Sequence, residues 1–410
     1  MPETAPHVWA DLTPDFIASA RDTASQFTLA DFGERLYLAE LQLIPADSQA
    51  HLRMHQFSAG ERTWQRISEH TLPVRQTATA QPAEPGRPAL PDMSASILTD
   101  PESGAPLLRI DITGGGITAT LVSTDGNDFT LDLADGSNDA PFVSLLHIRT
   151  FGTDLCATGH LAAPTPDETP GAGPALFRAA DPRAARWTRL PLDPQPGPDT
   201  NGVCAFAAFG DQRFLALGSP TRGFQVWRAE SPAAALTVWK PVLTAGAWKH
   251  SLNAHVFSMC AFNGGLYIAS GLTQPQQELV SNIHRRGFEL LRLEAGNNWD
   301  LIIGTPVYTP AGLRIPLSAQ GPGIDDSSSR EVQAMAVHRG ALYLASEGIN
   351  GFKLWRSTDG EAWQSVETPE LAGFRQTRVV SLIPAALGLA RLVCAITPEG
   401  HTVHRVHAML

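Results

Sequence analysis

The sequence contains no dense basic run. With 30 Lys and Arg against 41 Asp and Glu, and a formal net charge of −11, nucleic acid is not an expected partner. No apolar stretch approaches the roughly 18–20 residues that a membrane-crossing helix needs, so no membrane partner is expected either. The amino terminus, MPETAPHVWADLTPDF, lacks the basic and then apolar regions of a secretory leader. Cysteine is scarce. Cys156, Cys204, Cys260 and Cys394 lie far apart in apolar surroundings and never in CxxC spacing, which excludes a disulfide framework and a cysteine zinc site and predicts a cytoplasmic protein. The chain has no GxSxG elbow, Walker loop or Rossmann glycine fingerprint in a suitable context. Gly114-Gly115-Gly116, in DITGGGITAT, reads as a hairpin turn.

What the chain does have is turns and a repeat. Its 410 residues include 35 glycines and 32 prolines, a composition of compact, turn-rich structure rather than disorder. A pattern of Gly, two variable residues, an apolar residue, a large residue and Arg occurs at Gly173–Arg178, Gly223–Arg228, Gly287–Arg292, Gly351–Arg356 and Gly400–Arg405. Weaker versions end at Gln56 and Val122. A turn and an aromatic residue follow, most plainly in Ser357-Thr-Asp-Gly-Glu-Ala-Trp363 and Ser123-Thr-Asp-Gly-Asn-Asp-Phe129. Asp-Gly between apolar segments is a strong hairpin signal, so the pattern predicts a third strand, a tight turn and a fourth strand. Upstream of each copy lies a second hairpin, as in HVFSMCAFNGGLYIAS (255–270) and EVQAMAVHRGALYLAS (331–346). These read as two short, buried strands joined by a Gly-containing turn.

Each unit is therefore four strands in roughly 50–65 residues, the size of a β-propeller blade. Seven are expected, at about 22–75, 90–140, 141–198, 201–247, 254–305, 330–370 and 378–410. The last lacks a fourth strand. Trp9-Ala-Asp-Leu-Thr-Pro-Asp-Phe resembles Trp363-Gln-Ser-Val-Glu-Thr-Pro-Glu-Leu, so residues 1–12 are expected to supply it and close the ring, removing the exposed edges of an open sheet. The fold class is all-β: one seven-bladed propeller of four-stranded antiparallel blades. Segments 74–92, 162–174 and 190–200 read as surface loops, because the repeat continues on both sides of each.

The phrase LYLAS…GFKLWRSTDGEAW resembles the repeat of bacterial β-propellers of the Asp-box and sialidase-like type, in which a Ser-x-Asp-x-Gly-x-x-Trp hairpin joins the outer strands. Ser357–Trp363 matches with its glycine one position early, and Ser123–Phe129 matches in part. The resemblance covers nearly the whole chain as architecture and matches no specific enzyme family. It does not extend to sialidase chemistry, because the arginine triad, tyrosine nucleophile and acid/base of that class find no positions here. WD-repeat proteins are a poorer match, with one isolated Trp299-Asp300 pair.

Residues repeated in every blade are expected to serve the blade. The recurrent arginines, 178, 228, 292, 356 and 405, read as stems packed on a neighbouring aromatic with heads bonded to a turn or the next blade. His401, His404 and His407 resemble a metal tract, but one strand cannot present three or four convergent ligands. His404 reads instead as the counterpart of Trp227 and Trp355, and His55 likewise. An iron centre of four axial histidines, like that of carotenoid-cleaving oxygenases, would need one from each of four blades, and only His255 stands at such a start.

Function is expected where the blades differ. Alignment on a shared Val puts Gly202, His255, Glu331 and Arg378 at the same rank, the start of the first strand, with Pro141 and Ser25 in the same place. First strands line a propeller's axis, so His255, Glu331 and Arg378 converge on one mouth. Imidazole, carboxylate and guanidinium can supply base, acid and anion clamp. A salt-bridge network plugging the channel is the competing reading. Loops on the same face carry the candidate ligand-binding residues Arg330, Glu347, His284, Arg286 and Asp326. Asp325 and Asp326 alone fall short of a divalent cation's ligand set, and no cofactor is expected. The expectation is an enzyme that binds a small organic molecule and performs cofactor-independent lyase, cyclase or isomerase chemistry. The alternatives are a protein- or peptide-binding scaffold using the same face and a metal-dependent propeller oxidoreductase.

Overall fold

A computed structural model describes residues 8–18, 25–44, 48–74, 91–100, 103–114, 117–133, 142–151, 154–161, 174–193, 197, 199–200, 202–230, 236, 238–272, 287–348, 351–368, 376–397 and 401–410. The chain divides into two compact units, Asp22–Gln195 and a larger one of Met1–Arg21 with Pro196–Leu410. The fold is all-β, a seven-bladed β-propeller whose blades are four-stranded antiparallel sheets. The smaller unit holds blade 1 (Ser25–Phe32, Arg35–Ile44, Gln49–Ser58, Thr63–Pro73), blade 2 (Asp92–Thr99, Pro106–Gly114, Ile117–Ser123, Thr130–Leu133) and blade 3 (Phe142–Phe151, Asp154–Leu161, Pro174–Ala179, Thr188–Leu190). The larger holds blade 4 (Gly202–Phe209, Gln212–Gly218, Gln225–Ala229, Trp239–Leu243), blade 5 (His255–Phe262, Gly265–Gly271, Glu289–Glu294, Trp299–Ile303), blade 6 (Glu331–His338, Ala341–Gly348, Gly351–Ser357, Gln364–Val366) and blade 7. Blade 7 comprises Gln376–Ala385, Gly388–Ile396 and Thr402–Met409, with Trp9–Asp11 as the expected fourth strand. Among the described residues no helix is long and apolar enough to cross a membrane.

The blades stack because both faces of their inner strands are apolar. In ALYLAS of blade 6, Leu342 and Leu344 enter the layer shared with blade 5, while Tyr343 and Ala345 enter the layer shared with blade 7. Period-two alternation with carbon on both sides explains why these strands read as continuous apolar runs. Gly114 pairs with Ile117, so the strands on either side of residues 115–116 are antiparallel partners; Gly115 and Gly116 lie outside the described residues. None of the four cysteines forms a disulfide.

The repeated motif is structural. Ser357 Oγ donates to Asp359 Oδ1 at 2.9 Å and accepts from Gly360 N at 2.8 Å, while Asp359 Oδ1 also accepts from the amides of Glu361 and Ala362, both at 2.8 Å. Burial works against the Asp359 anion, but these donors hold its carboxyl below the usual range. Ser123 and Asp125 make the same four bonds in blade 2. Two of the recurrent arginines stitch blades together. Arg228 reaches Asn297 in the next blade's outer turn at 2.9 Å, and Arg292 bridges its own Asp300 (2.9 Å) and Glu361 of the next blade (2.7 Å).

In each Asp-box turn the glycine faces a tyrosine of the preceding blade. A Cβ on Gly360 would lie 1.7 Å from Tyr267 Oη, at a backbone φ of +84°. Gly360→Ala is therefore expected to lower the unfolding free energy by about 2–3 kcal/mol, combining left-handed backbone strain with overpacking. Gly264, with φ of +73° and open space around it, separates the two effects. Gly264→Ala should cost only about 1 kcal/mol of backbone strain in urea denaturation. Equal losses for the two variants would show that the tyrosine contact is slack.

The last blade corrects one expectation. Trp227 and Trp355 pair with Leu215 and Leu344, the fourth residues of their second strands. The fourth residue in blade 7 is Arg391, which pairs with His407, whereas His404 pairs with Cys394. The counterpart of the tryptophans is thus His407 rather than His404, and that of the recurrent arginine is Ala408 rather than Arg405. His55, paired with Leu38, does hold the tryptophan slot.

Candidate active site

In the larger unit the first strands of blades 4 to 7 pack against one another in chain order. Each carries the same irregularity. Register shifts by one residue between Val203 and Ala205, Val256 and Ser258, Val332 and Ala334, and Val379 and Ser381. A one-residue bulge re-aims the side chains beside it. It also fixes the rank where the shared Val placed it: Gly202, His255, Glu331 and Arg378 each stand two residues before the bulge residue. Their cross-strand partners are Gly218, Gly271, Glu347 and Cys394.

Blades 6 and 7 assemble a charged cluster at this rank. Glu331 faces Glu347 directly across the sheet, and both are half-buried. Burial pushes the Glu331 carboxyl above its ordinary range; the Glu347 charge pushes the same way, and Arg378 and Arg330 pull against them. Glu347 accepts a hydrogen bond from Gln333 Nε2. Gln333 is the bulge residue of blade 6, and its Oε1 accepts from the Val379 amide of blade 7 at 2.5 Å. One side chain thus fixes a carboxylate in one blade and the strand bearing Arg378 in the next. Arg330 donates its backbone N–H to the Glu347 carbonyl at 2.9 Å, and its Nε is buried without a partner. Arg378 is exposed.

His255 lies toward blade 4. Its Nδ1 is 3.3 Å from where a Cβ on Gly218 would be, and its ring centroid is 5.4 Å from that of Phe257. Any side chain at residue 218 would press on the imidazole, so the glycine opposite Gly202 makes room for it. The structure therefore brings Glu331, Glu347, Arg330 and Arg378 together, with His255 on the neighbouring blade at the same rank. Asp326 is occupied with its own loop. It accepts from Ser328 N and Oγ (2.9 and 2.7 Å), Ser329 Oγ (3.2 Å) and Lys353 Nζ (2.7 Å). Burial opposes the anion, but Lys353 and Ser328 bring its carboxyl down to about 2. It ties the connection before blade 6 to that blade's third strand. His284 and Arg286 lie outside the described residues. Sequence reasoning missed Gln333. Its signal was present, since the bulge positions are Cys204, Phe257, Gln333 and Val380 and only one is strongly polar.

Among the described residues no group of three or more His, Cys, Asp and Glu is arranged to hold a metal ion. His404 and His407 are each pushed down to about 4, chiefly by burial, as packed imidazoles are.

No protein-family model matches the chain, and no curated protein matches it. Solved structures do. The β-propeller domain of the Trilobed protease from Pyrococcus furiosus aligns over 93% of this chain and 95% of its own, at 9% identity and a TM-score of 0.46. The Pyrococcus horikoshii acylaminoacyl peptidase covers 92% of this chain at 8% identity and a TM-score of 0.47, and this chain spans 52% of it, about half its length. The GH93 α-L-arabinofuranosidase of Fusarium graminearum covers 62% of this chain and 73% of its own, at 12% identity and a TM-score of 0.37. Likeness at this level concerns fold alone, and no residue's role is transferred from these proteins.

Proposed function

We propose that the protein is a cytoplasmic enzyme that binds a small anionic organic molecule where the first strands of blades 5 to 7 begin, and performs cofactor-independent acid–base chemistry of lyase, cyclase or isomerase type. The observation that carries this reading is the Glu331–Glu347 pair. Two facing carboxyl groups, one raised by burial and by the other's charge, can divide the roles of acid and base. Glu347, held by Gln333, accepts a proton from the substrate carbon or hydroxyl. Glu331 delivers one to the leaving group or to the developing oxyanion. Arg378 and Arg330 stabilise the negative charge that accumulates between the two transfers, and His255 is a second proton carrier within the same rank.

The test begins with a thermal-shift screen of carboxylates and other small anions, since a ligand of the native state raises Tm. On the substrate so found, Glu331→Gln is expected to lower kcat by about 10²–10⁴-fold. Because the Glu331 pKa is raised, activity that needs the protonated acid should fall as pH rises through that pKa, and this limb should be missing from the variant. The sign for stability follows. Below the unfolded-state pKa the carboxyl is protonated in both states. As pH rises toward the folded pKa, the unfolded chain ionises first, so wild-type stability falls there and that of Glu331→Gln does not. An unchanged kcat and pH profile in the variant would defeat the reading.

The scaffold alternative has one observation in its favour. The connection before blade 6 carries a hairpin, Val307–Thr309 with Gly312–Arg314, on which Tyr308 is 79% exposed and Leu313, Ile315 and Leu317 are exposed too. A protein captured through this hairpin, and lost on Tyr308→Ser with Leu313→Ser, would favour that reading.

A further inference from the structure

Arg391 breaks a rank that five of the other six blades fill with aliphatic carbon; in blade 2 the fourth residue is Arg109. Arg391 is the fourth residue of its second strand, where blades 1, 3, 4, 5 and 6 have Leu38, Ala157, Leu215, Ile268 and Leu344. It has the same parity as Leu389 and Val393, which enter the apolar layer between blades 6 and 7, and its own exposure is 0%. Two rings lie against the guanidinium, with Cζ 4.1 Å from the Trp9 centroid and 4.9 Å from that of Phe352. Such contacts favour the cation but offer its N–H groups no acceptor. Nε, Nη1 and Nη2 are all buried without a hydrogen-bond partner. His407, directly across the sheet, is also buried, and its Nδ1 lacks a partner as well. Asp11 is next in the row but is exposed, and its Oδ1 accepts from the Thr13 amide at 2.9 Å.

Blade 2 shows what the same fold does with a buried arginine that has its acceptors. Arg109 is as fully enclosed and lies 5.1 Å from the Trp187 ring centroid. Its donors reach Asp111 Oδ2 and Oδ1 (2.7 and 2.6 Å), the Pro182 carbonyl (2.6 Å) and Thr120 Oγ1 (3.1 Å). Guanidinium is not deprotonated in proteins, and burying one unpaired costs several kcal/mol. Burial pulls the Arg391 pKa down to about 9, so the charge persists at neutral pH. Among the described residues no acceptor pairs with it.

We propose that Arg391 and His407 form a closed site for one small monovalent anion of the halide class, in the layer between blades 6 and 7. The class follows from the enclosure. One charge balances one guanidinium, and a multiply charged ion would leave excess charge buried. A monatomic ion accepts several N–H donors without a preferred fork and needs no opening to solvent. His407 contributes as a neutral imidazole, adding a donor without adding charge. Trp9 belongs to the N-terminal strand, so the bound anion also fastens that strand to blade 7.

The test is Tm at fixed ionic strength as gluconate, too large to be enclosed, is replaced by chloride. Wild type is expected to gain about 2–4 °C by roughly 0.2 M chloride. Arg391→Leu, which restores the aliphatic residue of the rank, should lose this response. Crystals of the wild type grown in bromide should show anomalous density at the guanidinium edge, a readout independent of whether the variant folds. Equal Tm in both salts, an undiminished chloride response in Arg391→Leu, or water at the guanidinium in place of bromide would each overturn the proposal.

Discussion

Lys249→Met is expected to destabilise the protein by about 3–5 kcal/mol, as removal of one partner from a buried ion pair does. Lys249 and Glu289 are both buried. The Lys249 Nζ donates to Glu289 Oε1 and Oε2 at 2.5 and 2.6 Å and to the Thr305 carbonyl at 2.6 Å. Glu289 also accepts from Thr305 N and Oγ1 (3.1 and 3.2 Å) and from Asn253 Nδ2 (3.3 Å). Without the ammonium, three neutral donors are left to hold a buried carboxylate. The pair joins the connection before blade 5, the start of that blade's third strand and the connection after its fourth. Its loss should therefore loosen the segment immediately before His255 as well as the fold. Glu289→Gln in the Lys249→Met background removes the orphaned charge and should recover most of the loss. A double-mutant cycle in urea should thus give a coupling of about 2 kcal/mol or more. A loss below about 1 kcal/mol in the single variant would mean that water reaches the pair.

How much of this was legible in the sequence depended on whether a feature repeats. The third-strand motif, its Asp-Gly turn and the aromatic after it recur because each blade packs on the next. They gave the blade count, the N-terminal closing strand and the register of Glu331 and Arg378. The same reliance on repetition misplaced the last copy. Gly400 and Arg405 have the motif's spacing, but register in blade 7 is set by pairing outward from the Ala385–Gly388 hairpin, which puts Ala408 opposite Ala390 and makes Arg405 a neighbour of Val393. Contacts without a period were invisible. Lys249 and Glu289 are 40 residues apart, the first in a connection that repeats nothing and the second at a variable position of the repeated motif. Gln333 is a different case: its bulge recurs in blades 4 to 7, but simple alternation does not anticipate the extra residue, so alternation alone does not single out its polarity. Arg391 stood within an apolar run, ALGLARLVCAI, where a single charge reads as surface until both neighbouring layers are seen.

A chain beginning at residue 14 is expected to associate with further copies of itself beyond whatever the full chain does. Trp9–Asp11 pairs with Met409, Ala408 and His407, and the attachment extends beyond the ladder. Leu12 N donates to the Val406 carbonyl at 2.9 Å, and Leu410 N to that of Val8 at 3.0 Å. Thr13 Oγ1 donates to the Val406 carbonyl at 3.3 Å and accepts from its amide at 3.0 Å. Trp9 Nε1 donates to the Glu367 carbonyl at 2.8 Å. Ala10 and Leu12 are buried against the blade. Without these residues, Thr402–Met409 becomes an eight-residue edge with unpaired amides and carbonyls, a template for another chain. The guanidinium of Arg391 also loses one of its two rings. The truncated protein should elute as swapped dimers or larger aggregates, with Tm lowered by about 10 °C or more. A peptide of residues 1–21 added in trans should restore both the full chain's elution and its Tm by donating the missing strand. Trp9→Ala in the full chain keeps the ladder and should elute as the full chain does, with a smaller Tm loss. A truncated chain that elutes as the full chain does with wild-type Tm would show that blade 7 is complete with three strands and that the N-terminal strand is an ornament of the fold.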